Sequence, residues 1–307
     1  MSEHALVIYN PHAGKGLFKD KLSYCVDLLT KGGYRVEVYP TQAKADAIYR
    51  IMNLEPEFSL VVAAGGDGTL DEVVTGMLKG GHSVPIGYIP VGSTNDYAST
   101  LGISQDIIEA VGCVMGGRPR PIDIGTFNSR YFVYVAAFGA FTDVSYATPQ
   151  DMKNTFGYAA YMMEAAKRLG DIKPIHVKAD IDGEAVEGDY VFGMISNSIS
   201  VAGMKNPVDK AVLLDDGLFE VTFIKNPGNI FDLRDIVGGL ILGSSDSPLF
   251  ETFQGRRIAM ELDREVKWTL DGEYGGTLAE VRAECLKGAV SMVLEDDLHS
   301  VLTPQEE

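Results

Sequence analysis

The stretch AAGGDGTLDEVV at residues 63–74 decides the fold that this sequence predicts. An apolar run ends there at Gly65 and Gly66, and Asp67 and Gly68 then precede a segment with helical spacing. This order predicts a buried strand, a tight turn and the start of a helix. Glycine backbone N–H groups can approach an anion closely, and a helix N-terminus favours negative charge. The stretch is therefore either a phosphate-binding loop or merely a tight turn.

Two further glycine-bearing loops are predicted at the same place. NPHAGKG at 10–16 and PVGSTNDYA at 90–98 each follow a predicted strand. Apolar patterns predict strands at 5–10, 34–40, 59–65 and 84–90, and helices at 17–30, 44–52 and 69–78. This alternation favours an α/β domain with a parallel sheet, in which ligands bind beyond the carboxyl ends of the strands. Three such loops at one edge favour the phosphate-binding interpretation.

Common nucleotide signatures are missing from these loops. The pattern GxxxxGK[ST] is absent, and GxGxxG is absent at the first strand. These absences argue against the commonest NTPases and NAD(P)-dependent dehydrogenases.

The sequence pattern changes after GGRPRPIDIG at 116–125. Strand-like runs joined mainly by turns follow, among them 131–139, 256–262 and 266–272, with helical segments only at 155–169 and 229–242. This pattern favours an antiparallel β-sandwich with inserted helices. A length of 307 residues suits two domains. We place the boundary near Asp123.

Composition excludes several function classes. The net charge of −17 argues against nucleic acid as a partner, because phosphate backbones are bound by basic surfaces. No run approaches the roughly 18 to 20 apolar residues that span a bilayer, and the N-terminus lacks a signal-peptide pattern, so a cytoplasmic protein is expected. Cys25, Cys113 and Cys285 lie far apart and are expected to be reduced structural thiols. Five scattered histidines give a zinc site little support.

Six motifs together resemble one family in order and spacing. They are GGDGT at 65–69, NPHAGKG at 10–16, PVGSTND at 90–96, DIG at 123–125, DDGLFEV at 215–221 and LDGE at 270–273. The chain resembles the diacylglycerol kinase catalytic-domain family over essentially its whole length, and most closely the soluble bacterial lipid kinases related to sphingosine and ceramide kinases. GGDGT alone is shared with NAD kinases and phosphofructokinase-like folds.

The resemblance implies ATP-dependent phosphorylation of a lipid hydroxyl, most directly that of diacylglycerol to give phosphatidic acid. It also implies an N-terminal α/β domain of the NAD kinase and phosphofructokinase-like kind and a C-terminal β-sandwich for the lipid. The expected domains are 1–123, rejoined by about 291–307, and 124–290. The implied partners are MgATP, a lipid substrate and, during turnover, the membrane surface. The sequence does not decide the oligomeric state, and a homodimer is one option.

The resemblance also assigns roles to individual residues. Catalytic roles fall on Asp67, Asp216 and Glu273, with Glu273 as the general base. Metal ligation falls on Asp123, Asp215 and Asp216. The cofactor-binding set is Asn10, Lys15, Gly65, Gly66, Gly68, Thr69, Gly92, Ser93, Thr94, Asn95 and Asp96. Lys153 is a looser match to a second phosphate-contacting lysine.

Each assignment has a simpler structural alternative. Asp67 suits a helix N-cap, and Asp215-Asp216-Gly217 and Asp271-Gly272 suit hairpin turns. Departures from the family pattern occur at Asp71, Ser93 and Ser99, of which Ser99 puts substrate preference in doubt.

The functional alternatives are a kinase for another hydroxyl and a regulator without turnover. The other acceptors considered are a different glycerolipid, a sphingoid base and NAD. The regulator would bind a nucleotide or a lipid.

Overall fold

The computed structural model describes residues 3–92, 95–140, 142, 173–201, 204–206, 212–243 and 245–295. Several predictions fall outside this part of the chain: the helix at 155–169, Lys153, Ser93, Thr94 and the C-terminal tail. The Lys15 side chain lies outside the described side chains as well. Within the described residues, no helix has both the length and the apolar character needed to cross a membrane.

The chain divides into two compact units. The first comprises the described residues of Met1–Ile124 and Lys287–Glu307, and the second those of Gly125–Leu286. The divisions fall after Ile124 and Leu286, and the sequence-based expectation places them near Asp123 and at about residue 291.

The first unit alternates strands and helices. Its elements are β1 (Glu3–Tyr9), α1 (Leu17–Lys31), β2 (Tyr34–Pro40), α2 (Asp46–Met52), β3 (Phe58–Gly65), α3 (Asp67–Gly80), β4 (Ile86–Pro90), α4 (Asp96–Thr100) and α5 (Ile107–Gly116). A short 3₁₀ helix, Ala13–Gly16, precedes α1. β1 pairs in parallel with β2 and β3, and β3 pairs in parallel with β4. The expected N-terminal α/β domain is confirmed.

Helix α3 is fixed by close contact with α2. A Cβ added at Gly76 would lie 2.7 Å from the Ile51 Cβ, so glycine lets the two helices approach. The Glu72 carboxylate accepts hydrogen bonds from the backbone of Ala45, at 2.7 Å, and Ala47, at 3.2 Å, where α2 begins. Because α3 starts at the glycine-rich stretch, these contacts also fix that loop.

The second unit is rich in strands. From β5 onward the elements are β5 (Arg118–Phe127), β6 (Arg130–Phe132), β7 (Val135–Gly139), β8 (Ile175–Ile181), β9 (Glu184–Ser196), β10 (Ser200–Val201), β11 (Met204–Lys205), β12 (Phe219–Lys225), α6 (Ile230–Leu242), β13 (Phe250–Gly255), β14 (Arg257–Leu270) and β15 (Glu273–Leu294). The first residues of β5, as far as Ile124, and the last residues of β15, from Lys287, belong to the first unit. The long strands β9 and β14 each change partner along their length, pairing with β8 over one part and β7 over another. These pairings are antiparallel, and the expected β-rich C-terminal region is confirmed.

An aromatic cluster forms the core of the second unit. Trp268 is fully buried between Phe127 and Phe138, with ring centroids 5.0 and 4.7 Å away. Apolar residues of β8, β9, β12 and β14 surround these rings.

Two strand predictions were wrong. The run at 131–139 reads as one strand, but β6 and β7 are separate because the backbone N–H groups of Val133, Tyr134 and Val135 bind the Asp271 carboxylate instead. The runs at 256–262 and 266–272 read as two strands, but β14 is continuous apart from an irregularity between Glu261 and Val266.

One acid is buried in the β9–β12–β13 part of this unit. Glu220 is 1% exposed, and its Oε1 accepts a 3.3 Å hydrogen bond from Gln254. Its Oε2 has no hydrogen-bond partner among the described residues. Burial, aided by the nearby charge of Asp216, raises the pKa of Glu220 to about 8.

Two glycine-to-alanine changes are expected to have opposite effects on stability. Gly76→Ala should lower the free energy of unfolding by about 1 to 3 kcal/mol, because its Cβ would clash with Ile51. Gly112, inside α5, has no heavy atom within 4 Å of an added Cβ, so Gly112→Ala should raise stability by up to about 1 kcal/mol. Urea unfolding measures both changes. Equal effects at the two sites would contradict the packing of α2 on α3.

Replacing Glu220 should change how stability depends on pH. The native state keeps the Glu220 proton up to a pH of about 8, whereas the unfolded chain loses it near a pH of about 4. Glu220 therefore makes the wild type less stable as pH rises between these values. Glutamine does not titrate, so the free energy of unfolding of Glu220→Gln does not fall in this way as pH rises. The stability of Glu220→Gln relative to the wild type should therefore increase from pH 5 to pH 9. Denaturation curves at several pH values measure the difference, and a constant difference would rule the explanation out.

Candidate active site

Three loops meet at the carboxyl ends of β1, β3 and β4. Asn10 donates its backbone N–H to Ala64 O at 3.1 Å, and Val91 donates to Gly65 O at 2.9 Å. Gly14 has φ +53°, and an added Cβ there would lie 1.9 Å from Val91 O. Only glycine fits at this position. The predicted convergence of the three glycine-bearing loops is confirmed.

The glycines of the central loop have different structural roles. At Gly65 an added Cβ would overlap the Thr69 hydroxyl at 2.2 Å, so Gly65 makes room for Thr69. At Gly66 an added Cβ would lie 3.2 Å from Gly92 Cα, which keeps two backbones in close contact. Gly68 is exposed, with nothing within 4 Å of an added Cβ. Of the three, Gly68 is the one that faces open space.

Asp67 links the loop after β3 to the loop after β4. The N-cap of α3 is Gly66, so the N-cap interpretation of Asp67 was wrong. The Asp67 carboxylate instead accepts hydrogen bonds from the backbone N–H groups of Asp96, at 3.1 Å, and Tyr97, at 3.4 Å. Asp96 and Tyr97 are the first two residues of α4. The N-cap residue, Asn95, has a left-handed backbone conformation, and its side chain makes no capping hydrogen bond to the helix. One carboxylate therefore holds the two loops together.

The surroundings of Asp67 favour its protonated form. Burial and the charge of Asp96 raise the pKa of Asp67 to about 6, while the hydrogen bonds from Asp96 and Tyr97 oppose this rise. The Tyr88 hydroxyl is buried beside it, and burial together with the Asp67 charge raises the pKa of Tyr88. Asp67 and Asp96 repel each other when both are charged, and a cation bound between them would stabilise the charged form of both.

Two predicted cofactor ligands shape their own loops. Asn95 is buried in the left-handed conformation, accepts the Gly92 N–H at 2.8 Å and donates to Gly92 O at 3.1 Å. Asn10 Oδ1 accepts the backbone N–H of His12 at 2.9 Å. These bonds keep the loops in shape, and direct contact of either side chain with a cofactor stays a prediction.

The predicted metal ligands belong to different units. Asp123 belongs to the first unit, is 0% exposed and accepts the Gly288 N–H at 2.6 Å. Asp215 and Asp216 belong to the second unit; Asp215 is exposed, and half-buried Asp216 accepts the Leu218 N–H at 2.9 Å. Among the described residues, no group of three or more His, Cys, Asp or Glu side chains is placed to hold a metal ion.

Glu273 stands next to a tight hairpin turn in the second unit. Asp271 and Gly272 have φ values of +49° and +81° and join β14 to β15, with Leu270 paired to Glu273. The predicted turn is confirmed, and a two-residue turn with both φ values positive matches the right-handed twist of the strands. Glu273 is exposed at the first position of β15. An exposed carboxylate on a short turn can reach a solvent-borne hydroxyl.

Sequence reasoning missed three residues with specific roles. Asp271 and Glu220 lie inside the motifs LDGE and DDGLFEV, so the signal was available but read only as a turn and a strand. Tyr88 lies in the apolar strand IGYIP, where no pattern marks it as a neighbour of Asp67.

Two family descriptions match most of this chain. Residues 4–127 match the diacylglycerol kinase catalytic domain, and residues 136–294 match the YegS C-terminal NAD kinase beta sandwich-like domain. The diacylglycerol kinase of Bacillus subtilis (strain 168) is 32% identical over 280 residues, which cover 90% of this chain and 91% of that protein. A diacylglycerol kinase of Staphylococcus epidermidis (strain ATCC 12228) is 34% identical over 280 residues, covering 91% and 88%.

A solved structure shows the same fold. The crystal structure of a diacylglycerol kinase from Bacillus anthracis (strain Sterne) superposes with a TM-score of 0.76 at 24% identity, covering 96% of this chain and 98% of that one. The relatives match both units, and the motifs that carry the resemblance lie in the matched regions. This chain therefore belongs to the diacylglycerol kinase catalytic-domain family of lipid kinases.

Proposed function

We propose that this protein transfers the γ-phosphoryl group of ATP to a lipid hydroxyl, and that diacylglycerol is the acceptor, giving phosphatidic acid. The observation that carries the proposal is the convergence of three loops around Asp67 at the carboxyl ends of three strands. This is where α/β sheets bind ligands. The names of the relatives support the choice of acceptor.

The first unit is proposed to bind the nucleotide phosphates at the N-terminus of α3. The first N–H groups of a helix have no intrahelical partner and carry the positive end of the helix dipole. Gly68 leaves this end open, and Gly92 approaches Gly66 from the neighbouring loop. Contacts of Asn10, Lys15, Ser93 and Thr94 with the nucleotide stay predictions.

Magnesium is proposed to bind with the nucleotide. Mg²⁺ prefers oxygen ligands, keeps several waters and is commonly bound by one or two carboxylates together with substrate phosphates. Asp67 and Asp96 fit this requirement, because burial and the charge of Asp96 raise the pKa of Asp67, and a cation would favour the charged form of both acids. When bound, the ion would neutralise charge on the phosphate oxygens. Metal contacts of Asp123, Asp215 and Asp216 stay predictions.

Glu273 is proposed to be the general base. Phosphoryl transfer relies on positioning and charge stabilisation, and a carboxylate within hydrogen-bond reach can accept the proton of the attacking hydroxyl. Glu273 is exposed on a short turn and can therefore meet a hydroxyl at the water-facing end of a lipid. Asp216 is proposed to support this chemistry electrostatically from the turn before β12.

The second unit is proposed to be the lipid-binding β-sandwich. Its strands β9 and β14 each exchange one partner for another, as strands shared between two layers do. Because diacylglycerol resides in membranes, the protein is proposed to contact a membrane surface transiently during turnover. The homodimer stays a prediction.

An assay with labelled ATP tests the proposed function directly. Purified protein is incubated with [γ-³²P]ATP, Mg²⁺ and mixed micelles that contain one acceptor each: diacylglycerol, monoacylglycerol, a sphingoid base or NAD. Labelled phosphatidic acid is expected with diacylglycerol. Label in another product would replace the proposed acceptor, and ATP binding without any labelled product would favour a regulator over an enzyme.

Gly68→Ala should weaken ATP binding without destabilising the fold. The added methyl group meets no protein atom, so stability should hold or rise, yet it would occupy the space in which we place a phosphate. We expect the Kd for ATP to rise about tenfold, which corresponds to about 1.4 kcal/mol. Calorimetry measures the Kd, with Gly112→Ala as the matched helix control. An unchanged Kd would remove Gly68 from the phosphate site.

Glu273→Gln should abolish turnover while leaving ATP binding intact. Glutamine keeps the size of the side chain but cannot accept the proton, and general-base catalysis contributes roughly 10² to 10⁴ in rate. We expect kcat to fall by at least about 100-fold. Glu184→Gln is the matched control, because Glu184 follows an identical Asp-Gly turn in the second unit. Near-normal kcat in Glu273→Gln would exclude the base role.

A further inference from the structure

The carboxylate of Asp271 binds three consecutive backbone N–H groups. Asp271 is 7% exposed. Its Oδ2 accepts from Val133 N at 2.6 Å, and its Oδ1 accepts from Tyr134 N at 2.9 Å and Val135 N at 3.0 Å. Three donors for one buried carboxylate are enough to offset most of the cost of removing its charge from water. These donors lie 136 to 138 residues away along the chain, so the bonds connect distant segments.

The hairpin tip that carries Asp271 is held by further bonds. Asp271 donates its own N–H to Val135 O at 2.9 Å. On the other side of Glu273, the Arg130 guanidinium donates to the backbone carbonyl of Tyr274 at 2.9 Å. Glu273 therefore stands between two backbone positions that are both anchored to the β6–β7 segment.

The chain contains a second hairpin with the same local sequence. IDGE at 181–184 and LDGE at 270–273 share Asp-Gly-Glu, and each Asp-Gly pair forms a two-residue turn with positive φ values. The Asp182 carboxylate accepts the backbone N–H groups of Arg256, at 2.6 Å, and Arg257, at 3.0 Å. Both aspartates thus anchor a turn, but only Asp271 lies two residues before the proposed base.

We infer that Asp271 is a positioning residue for Glu273: by anchoring the hairpin tip to the backbone of Val133–Val135, it holds the Glu273 carboxylate in the orientation that phosphoryl transfer needs. The inference rests on the proposed function, because it assigns Asp271 a role only through Glu273. Asp271 itself is bound to three backbone donors and takes no part in proton transfer. A positional error of about 1 Å in a catalytic group can lower a rate about 100-fold, so such an anchor affects turnover.

Asp271→Asn tests the inference with little change in side-chain volume. The amide replaces one acceptor oxygen by an NH₂ group, which must then face a backbone N–H of Val133, Tyr134 or Val135. We expect kcat to fall at least about tenfold while the KM for ATP changes less than about twofold. Asp182→Asn makes the same chemical change at the matched turn and should leave kcat unchanged. Equal kcat values for the two variants would overturn the inference.

A double-mutant cycle separates positioning from general loss of structure. If Asp271 acts through Glu273, adding Asp271→Asn to Glu273→Gln should lower the residual kcat by less than about twofold. If Asp271 acts independently of Glu273, the two losses multiply, and the inference fails. If the Asp271→Asn variant does not fold, the Arg130→Gln variant takes its place in the cycle. Arg130→Gln removes the hydrogen bond from the Arg130 guanidinium to Tyr274 O, on the other side of Glu273. An unchanged kcat in Arg130→Gln would then count against positioning by this hairpin.

The outcomes for the base and for its positioning are distinguishable. Near-normal turnover in Glu273→Gln removes the proposed base and, with it, any reason to position Glu273. Loss of turnover in Glu273→Gln, combined with the same kcat for Asp271→Asn and Asp182→Asn, leaves the base in place and overturns only the positioning role.

Discussion

The hydrogen bonds from Asp96 and Tyr97 to the Asp67 carboxylate are the interaction on which the candidate nucleotide site depends. They connect the end of β3 to the end of β4 across 29 residues of chain. Burial near a second acid disfavours the Asp67 charge, and the two N–H bonds oppose that penalty. The contact therefore offsets part of the cost of burying the Asp67 charge, and a bound cation would offset more of it.

Backbone contacts hold the described parts of these loops against each other. A Cβ added at Gly14 would lie 1.9 Å from Val91 O, and one added at Gly92 would lie 2.5 Å from Gly66 Cα, so both positions exclude a side chain. Loops that hold each other in this way lose little conformational freedom when a ligand binds, so more of the contact energy appears as affinity. The clustering of glycine in three separate loops thus has two explanations at once: close packing of loops on each other and, at Gly68, access for an anion.

The alternation of strands and helices in the first unit was predictable from residues close in sequence, because apolar runs and helical spacing are local patterns. So were the Asp271-Gly272 turn and the convergence of the loops, which follows from parallel strand order. The partners of Asp67 and Asp271 were not predictable, since they lie 29 and more than 130 residues away. The prediction of one strand at 131–139 failed for the same reason. The distant Asp271 carboxylate binds backbone N–H groups that a continuous strand would use for pairing.

Carboxylates that bind backbone N–H groups recur throughout the described residues, as Glu72, Asp123, Asp182 and Asp271 do in addition to Asp67. Such a carboxylate has fewer lone pairs left for a metal ion, and this agrees with the absence of a three-residue metal cluster among the described side chains. In a kinase this arrangement is sufficient, because Mg²⁺ arrives with phosphate oxygens and water among its ligands. These five acids therefore act as structural anchors. Asp67 differs from the other four in its place at the loop junction, where burial and the charge of Asp96 raise its pKa and a cation would favour its charged form.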